Sequence, residues 1–196
     1  MVPKKIDFLK IANYLKLATC LILLGCCFIP FAPGLKMVVK SSSGNVVTTY
    51  SPAFSFIFGG NLASEHITYK TIGCSPLGII GYIFIVLALV GVLVSIFTVR
   101  SNKKRSKIIF FISLGLTLAS AIMMFCMHRS AATVLADAIM GEHSDAVANT
   151  IYNNTSLQFG FLGVGIFGLL ATLGLTASLF FDGTIDKIKA FIISKM

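Results

Sequence analysis

A chain of 196 residues that is 56% hydrophobic and only 12% charged lies far from the balance of a soluble globular domain. Its net charge of +9 would point to nucleic acid in a soluble protein, but no RNA- or DNA-binding motif accompanies that charge. The composition indicates an integral membrane protein instead, and nucleic acid is not expected as a partner.

A helix needs about 20 predominantly apolar residues to cross the hydrocarbon core. The chain offers four such stretches, and the first is expected over about residues 14–31. Before it, Lys4 to Lys16 carries Ile6, Phe8, Leu9 and Ile11, which suits a cap resting on lipid. Lys16, near the start of the span, is expected to snorkel to the headgroups. Pro30 and Pro33 end the segment, and Gly34 releases the chain into a loop. Pro33 directly follows Ala32, the best candidate cleavage position, so an uncleaved anchor is expected rather than a signal peptide.

The first outer connection, residues 32–76, is long and has β character. Met37 to Val39 and Val46 to Tyr50 are β-branched segments flanking a polar turn from Lys40 to Asn45, a hairpin pattern. Phe54-Ser-Phe-Ile-Phe58 alternates partly until Gly59-Gly60 breaks it, and His66 to Ile72 offers a further strand. Phe54, Phe56 and Phe58 are expected to form a small core. Residues 77–99 then give a second span of 23 residues without charge.

Residues 100–107 form a short inner loop holding Arg100, Lys103, Lys104, Arg105 and Lys107. Cations so close to a membrane attract anionic headgroups at about 1 kcal/mol each, which makes these five the candidate anionic-lipid contacts. The third span is expected over 108–127. In the second outer connection, residues 128–158, Ser130 to Met140 suits a helix that prolongs this span. Gly141 interrupts it, and Ser144 to Tyr152 suits a second short helix. Asn153-Asn154-Thr155-Ser156 holds two overlapping glycosylation sequons but otherwise has the look of ordinary loop residues. The fourth span occupies 159–181. Asp182-Gly183-Thr184 stops it, and residues 184–195 place Ile185, Ile188 and Ile192 on one face of a short interfacial helix.

The distribution of charge orients this arrangement. Lys4, Lys5, Lys10, Lys16, Arg100, Lys103, Lys104, Arg105, Lys107, Lys187, Lys189 and Lys195 lie in or beside the two termini and the middle connection, where the acids are Asp7, Asp182 and Asp186. Lys36, Lys40, Lys70 and Arg129 lie in the other two connections, balanced by Glu65, Asp137, Glu142 and Asp145. The whole net charge thus falls on one side, the cytoplasmic side by the positive-inside rule. The expected fold is an all-α four-helix transmembrane bundle with both termini inside, in the plasma membrane, with a small β-containing first outer loop and a helical second one.

Beyond Lys16 the spans contain no ionisable group other than cysteine and tyrosine. A charge at mid-bilayer costs about 2.5–3.5 kcal/mol on insertion scales and usually marks a proton, ion or substrate path. The spans carry small residues in register instead. Gly81, Ala88 and Ser95 recur every seven positions, with Gly91 four before Ser95. Ser113, Thr117 and Ala121 form a row, as do Gly115 with Ala119 and Gly168 with Thr172 and Thr176. Such rows let helix backbones approach closely, so these are the candidate packing positions, toward the bundle or toward a partner.

Cys74 and Cys126 fall at similar depth at the outer end, where an oxidising compartment would permit a disulfide, while buried free thiols are the default for all five cysteines. His66, His128 and His143, with Glu65, Glu142 and Asp145, lie in the outer connections without metal-ligand spacing, and no metal, cofactor or catalytic residue is assigned. The layout resembles that of tetraspan families such as the claudins, with both ends inside, a larger β-containing first outer loop and an extended third helix. The likeness is one of topology. With no tryptophan the chain lacks the claudin Trp…Gly-Leu-Trp…Cys…Cys pattern, and the Cys-Cys-Gly motif of tetraspanins is missing.

The function expected is therefore that of a non-enzymatic tetraspan protein: a structural, accessory or interaction subunit. Its partners would be the anionic inner leaflet and another membrane protein or a second copy. The alternative is a component of an oligomeric channel or transporter, lined by residues such as Ser113, Thr117, Thr172 and Thr176. A membrane enzyme using the outer His and carboxylate groups is the third.

Overall fold

The computed structural model describes residues 8–41, 44–50, 52–62, 70–99, 103–140 and 144–181. Four of its helices are long and apolar enough to cross a membrane, so the protein is a multi-pass membrane protein. They are α1 (Phe8–Phe28), α3 (Pro76–Thr98), α4 (Lys103–Phe125) and α7 (Phe159–Phe181). Each packs on two others, α1 on α3 and α7, and α4 on α3 and α7, which closes a ring in the order α1–α3–α4–α7.

The helix limits follow the residues at their ends. α1 begins well before residue 14 because Leu9 to Ala12 are good helix formers, so the approach segment and the span are one helix. It closes in a 3-10 turn at Ile29–Phe31, with Pro30 buried in that turn. α3 starts at Pro76, where a missing N–H costs nothing, and Ser75 caps it by accepting from the Gly78 amide at 3.2 Å. α4 starts at Lys103, five residues before the expected span, since the basic run has high helix propensity and nothing in it breaks the helix. Of the expected inner loop, Arg100 to Asn102 lies outside the described residues, as does the expected interfacial helix 184–195.

Large apolar side chains point outward along every long helix: Leu21, Leu87, Ile112 and Leu173 are all exposed, as a lipid-facing surface requires. The inner faces hold small and hydroxyl residues. On α1 the row Ala12, Lys16, Thr19, Leu23 and Cys26 is buried. Lys16 thus follows that row inward and is only 7% exposed, its ammonium 4.9 Å from the centre of the Phe110 ring. Its helical position faces α4, where the Phe110 ring offers the ammonium a cation–π partner beside Lys103 and Lys107.

One end of the bundle carries a cap built from both of the longer connections. β1 (Leu35–Ser41) and β2 (Gly44–Tyr50) form an antiparallel hairpin in register from Leu35 opposite Tyr50 to Ser41 opposite Gly44. α2 (Ala53–Phe58) follows, then β3 (Gly60–Leu62) and β4 (Lys70–Ile72), which pair with each other. After α4, α5 (Met127–Met140) continues almost without a break, and α6 (Asp145–Asn154) leads to β5 (Thr155–Leu157).

Two expectations are corrected here. The Phe54–Phe58 run is a helix, not a partly alternating strand. It follows Pro52 and ends at Gly59, whose φ of 79° favours glycine and whose amide donates to the Ser55 carbonyl at 2.9 Å. The Asn153–Ser156 stretch is not plain loop. Asn153 and Asn154 end α6, and Thr155 to Leu157 form the third strand of the sheet, in the order β2-β1-β5.

Candidate functional site

The cap is assembled by hydrogen bonds that cross between the two connections. Leu35, Lys36 and Met37 of β1 stand opposite Leu157, Ser156 and Thr155 of β5. At the base of the sheet the Gln158 amide donates to the Gly34 carbonyl at 2.9 Å and the Gly160 amide to the Pro33 carbonyl at 2.8 Å. Ser75, fully buried at the start of α3, shares a 2.6 Å hydrogen bond with Ser130 on α5. Below these bonds, Leu35, Tyr50, Phe56, Ile57, Ile151 and Phe161 are buried in one cluster with Ile85, Met124 and Val164 of the bundle. The core of the cap is therefore continuous with the core of the helices, and burial pushes the Tyr50 phenol up from its ordinary range.

The three phenylalanines of α2 divide by helical position. Phe56 turns into the core against Phe161, ring centres 6.1 Å apart. Phe54 and Phe58, one turn apart, lie on the other side and form a ladder with Phe31 and Tyr82 at centroid distances of 5.0 Å for Phe31–Phe54 and 5.2 Å for Phe58–Tyr82. The Tyr82 hydroxyl donates to the Cys27 carbonyl at 3.1 Å, so the ladder ties α1, α2 and α3 together. The small core expected of all three holds for Phe56 only, since Phe54 is half-buried and Phe58 exposed. The participation of Phe31 and Tyr82 is not legible, since they come from helices distant in sequence.

The histidine readings meet a structural answer at one position. His128 Nε2 lies 2.9 Å from Thr155 Oγ1, and its ring packs at a tilt against Tyr152, centroids 4.4 Å apart. Burial pushes its pKa down, and hydrogen bonding at Thr155 opposes that in part. It joins α5 to β5 rather than meeting carboxylates. His66, His143, Glu65 and Glu142 lie outside the described residues, among which no three His, Cys, Asp or Glu side chains converge. Asp145 opens α6. Cys74 and Cys126 are free thiols and exposed, while Cys20 and Cys26 are buried and Cys27 half-buried. The default of buried thiols thus holds for the cysteines of α1 only, because Cys74 and Cys126 sit where helices meet connections.

Of the candidate packing residues, Gly81, Gly91, Ser95, Ser113, Ala121 and Gly168 lie at contacts of α4 with α3 or α7. A Cβ at Gly81 would touch Met123 and Met124, one at Gly168 would touch Ala121, and one at Gly91 would collide with Ser113. Ala88 and Ser95 are fully buried. Two serine hydroxyls bridge α4 to α3: Ser120 donates to the Gly81 carbonyl and Ser106 to the Ser95 carbonyl, both at 2.7 Å. Ser113, Thr117, Thr172 and Thr176 donate to carbonyls one turn back in their own helices. Gly115 is the exception in its row, since a Cβ there would meet nothing within 4 Å.

The opposite end of the bundle is basic. Lys103, Lys104, Arg105 and Lys107 occupy the first turns of α4, and Lys16 approaches from α1. Arg100 lies outside the described residues. Lys16, Lys103 and Lys107 line a cavity of about 200 Å³ with Asn13, Ser106 and Phe110. Compared with known proteins, the chain matches no family model and no characterised protein.

Proposed function

We propose that the protein is a non-enzymatic membrane subunit that binds another membrane protein, or a second copy of itself, through the cap. The sheet end faces outward, both termini lie inside, and the membrane is the plasma membrane. The positive-inside distribution supports this orientation, because the described basic cluster of α4 lies at the end opposite the sheet. The basic turns of α4 then rest against the anionic inner leaflet.

The observation that carries the proposal is the joining of the two connections into one hydrogen-bonded cap whose core runs into the bundle. A surface held in advance loses little freedom on binding, which is how a recognition element gains affinity. The outer edge of β2 is open to strand addition among the described residues, with Val46 to Tyr50 free of charge and of proline. Of the residues named for a shared pore, Ser113 lies against Gly91 within the bundle, and the hydroxyls of Ser113, Thr117, Thr172 and Thr176 donate to carbonyls of their own helices, which favours the subunit reading.

Extraction of the tagged protein from its native membrane in mild detergent tests the proposal. A distinct protein retained at fixed stoichiometry, and lost when Val47→Pro blocks the β2 edge, is the expected result. A monomer with no retained protein would refute it, and a homo-oligomer conducting ions in liposomes would move the function to that of a channel component.

A further inference from the structure

The basic end of the bundle holds more than a charged surface. Lys103 and Lys107, four residues apart, lie on one face of α4, and Lys16 reaches the same cavity from α1. Lys16 is more than nine-tenths buried, so its charge is held at the cavity with little exposure to water. Its ammonium is placed by the Phe110 ring on one side, and the cavity opens on another. The first-turn amides of α4, which begins at Lys103, add the partial positive charge of a helix N-terminus. Among the described residues that line the cavity none is acidic, and Asn13 adds an amide. Val99 and Leu179, at the ends of α3 and α7, make the remaining wall apolar. The space, about 200 Å³, greatly exceeds the roughly 15 Å³ that a single water needs.

Three cations converging beside an apolar wall, at the level where three long helices begin or end, match a phosphate attached to a hydrocarbon chain. We propose that this cavity is a discrete site for one phosphate-bearing anion, held by Lys16, Lys103 and Lys107, with the apolar wall receiving the chain of an anionic phospholipid. Lys104 and Arg105 do not line it and serve only the diffuse attraction of the surface. The site is independent of partner binding by the cap and of which leaflet the basic end faces.

Native mass spectrometry of the full chain, released from mild detergent during titration with dioleoylphosphatidylglycerol, tests this. One lipid is expected to be retained in preference to dioleoylphosphatidylcholine. Lys107→Gln and Lys16→Gln are expected to weaken it about fivefold or more each, the worth of one cation near an anionic surface, and Lys104→Gln and Arg105→Gln less than twofold. Lys16→Arg, which keeps the charge, restores retention and separates loss of the site from loss of fold. Inorganic phosphate that binds on the same three lysines and displaces the lipid would keep the anion site but assign it to a soluble ligand. Retention that falls equally with all four glutamine variants, or is unchanged in Lys16→Gln and Lys107→Gln, would overturn the proposal.

Discussion

Replacing Gly160 with alanine probes the joint between cap and bundle. Gly160 is the second residue of α7, and its amide donates to the Pro33 carbonyl. A Cβ there would lie 2.5 Å from the Ala53 Cβ and 2.7 Å from both the Ala32 and Pro33 carbonyl oxygens. All three neighbours are backbone or a methyl fixed to it, so none can swing away as a long side chain would. Overpacking of this kind costs about 1–3 kcal/mol, against which alanine recovers about 0.5–1 kcal/mol of the entropy that glycine loses on ordering. The net expectation is about 1–2 kcal/mol of destabilisation, near the middle of those ranges. Gly115 is the internal control. It lies within α4, its Cβ would meet open space, and alanine there is expected to stabilise by about 0.5–1 kcal/mol. Unfolding of both variants by SDS in mixed micelles, followed by far-UV circular dichroism, gives the two values. If Gly160→Ala proved as stable as the wild type, or moved in the same direction as Gly115→Ala, the close approach of α7 to the cap would be refuted.

The bridging hydroxyls give a second expectation: Ser106→Ala and Ser120→Ala each cost about 0.6–1.7 kcal/mol in the same assay, whereas Ser113→Ala, whose bond stays within its helix, costs less than either. Equal costs at all three would contradict the interhelical assignment. A third concerns pH. The His128 pKa is lowered on folding by burial, so the unfolded chain binds more protons near its ordinary value of about 6.5. Stability from this site is therefore complete above that value and is lost as pH falls through the folded pKa. The protection of β5 amides, taken relative to the intrinsic exchange rate at each pH, should fall between pH 7.5 and 5, and His128→Gln should abolish the change; protection independent of pH would count against it. Fourth, Tyr82→Phe removes the hydroxyl that donates to the Cys27 carbonyl but keeps the aromatic ladder. A loss of about 1 kcal/mol is expected, and a loss as large as that of Tyr82→Ala would show that the hydroxyl rather than the ring carries the contact.

The long helices were legible because membrane crossing imposes a length and an apolar composition that the chain displays directly; α7 runs over the 159–181 read from the sequence. The hairpin was legible from its two β-branched segments, which belong to β1 and β2. β5 was not, since three residues with no pattern of their own become a strand only through pairing with β1, more than a hundred residues earlier. α2 was misread because Phe recurs at every second position, while the Pro52 before it and the Gly59 after it mark a helix just as well. The glycine rows were visible as spacing. Spacing alone could not tell Gly168, which meets Ala121, from Gly115, which meets nothing. The surroundings of Lys16 were not legible: its place on the row with Ala12, Thr19 and Leu23 directs it inward, but only the position of Phe110 on α4 shows what it meets.

Orientation underlies the outward-facing cap and its proposed partner. In a Cys126→Ser background, which removes the other exposed thiol, Cys74 at the base of the cap, and a cysteine introduced by Lys104→Cys with Cys74→Ser added, report on opposite ends of the bundle. A membrane-impermeant maleimide is expected to label Cys74 in intact cells and the thiol at position 104 only after permeabilisation. Labelling of position 104 in intact cells with protection of Cys74 would place the cap inside and contradict the account.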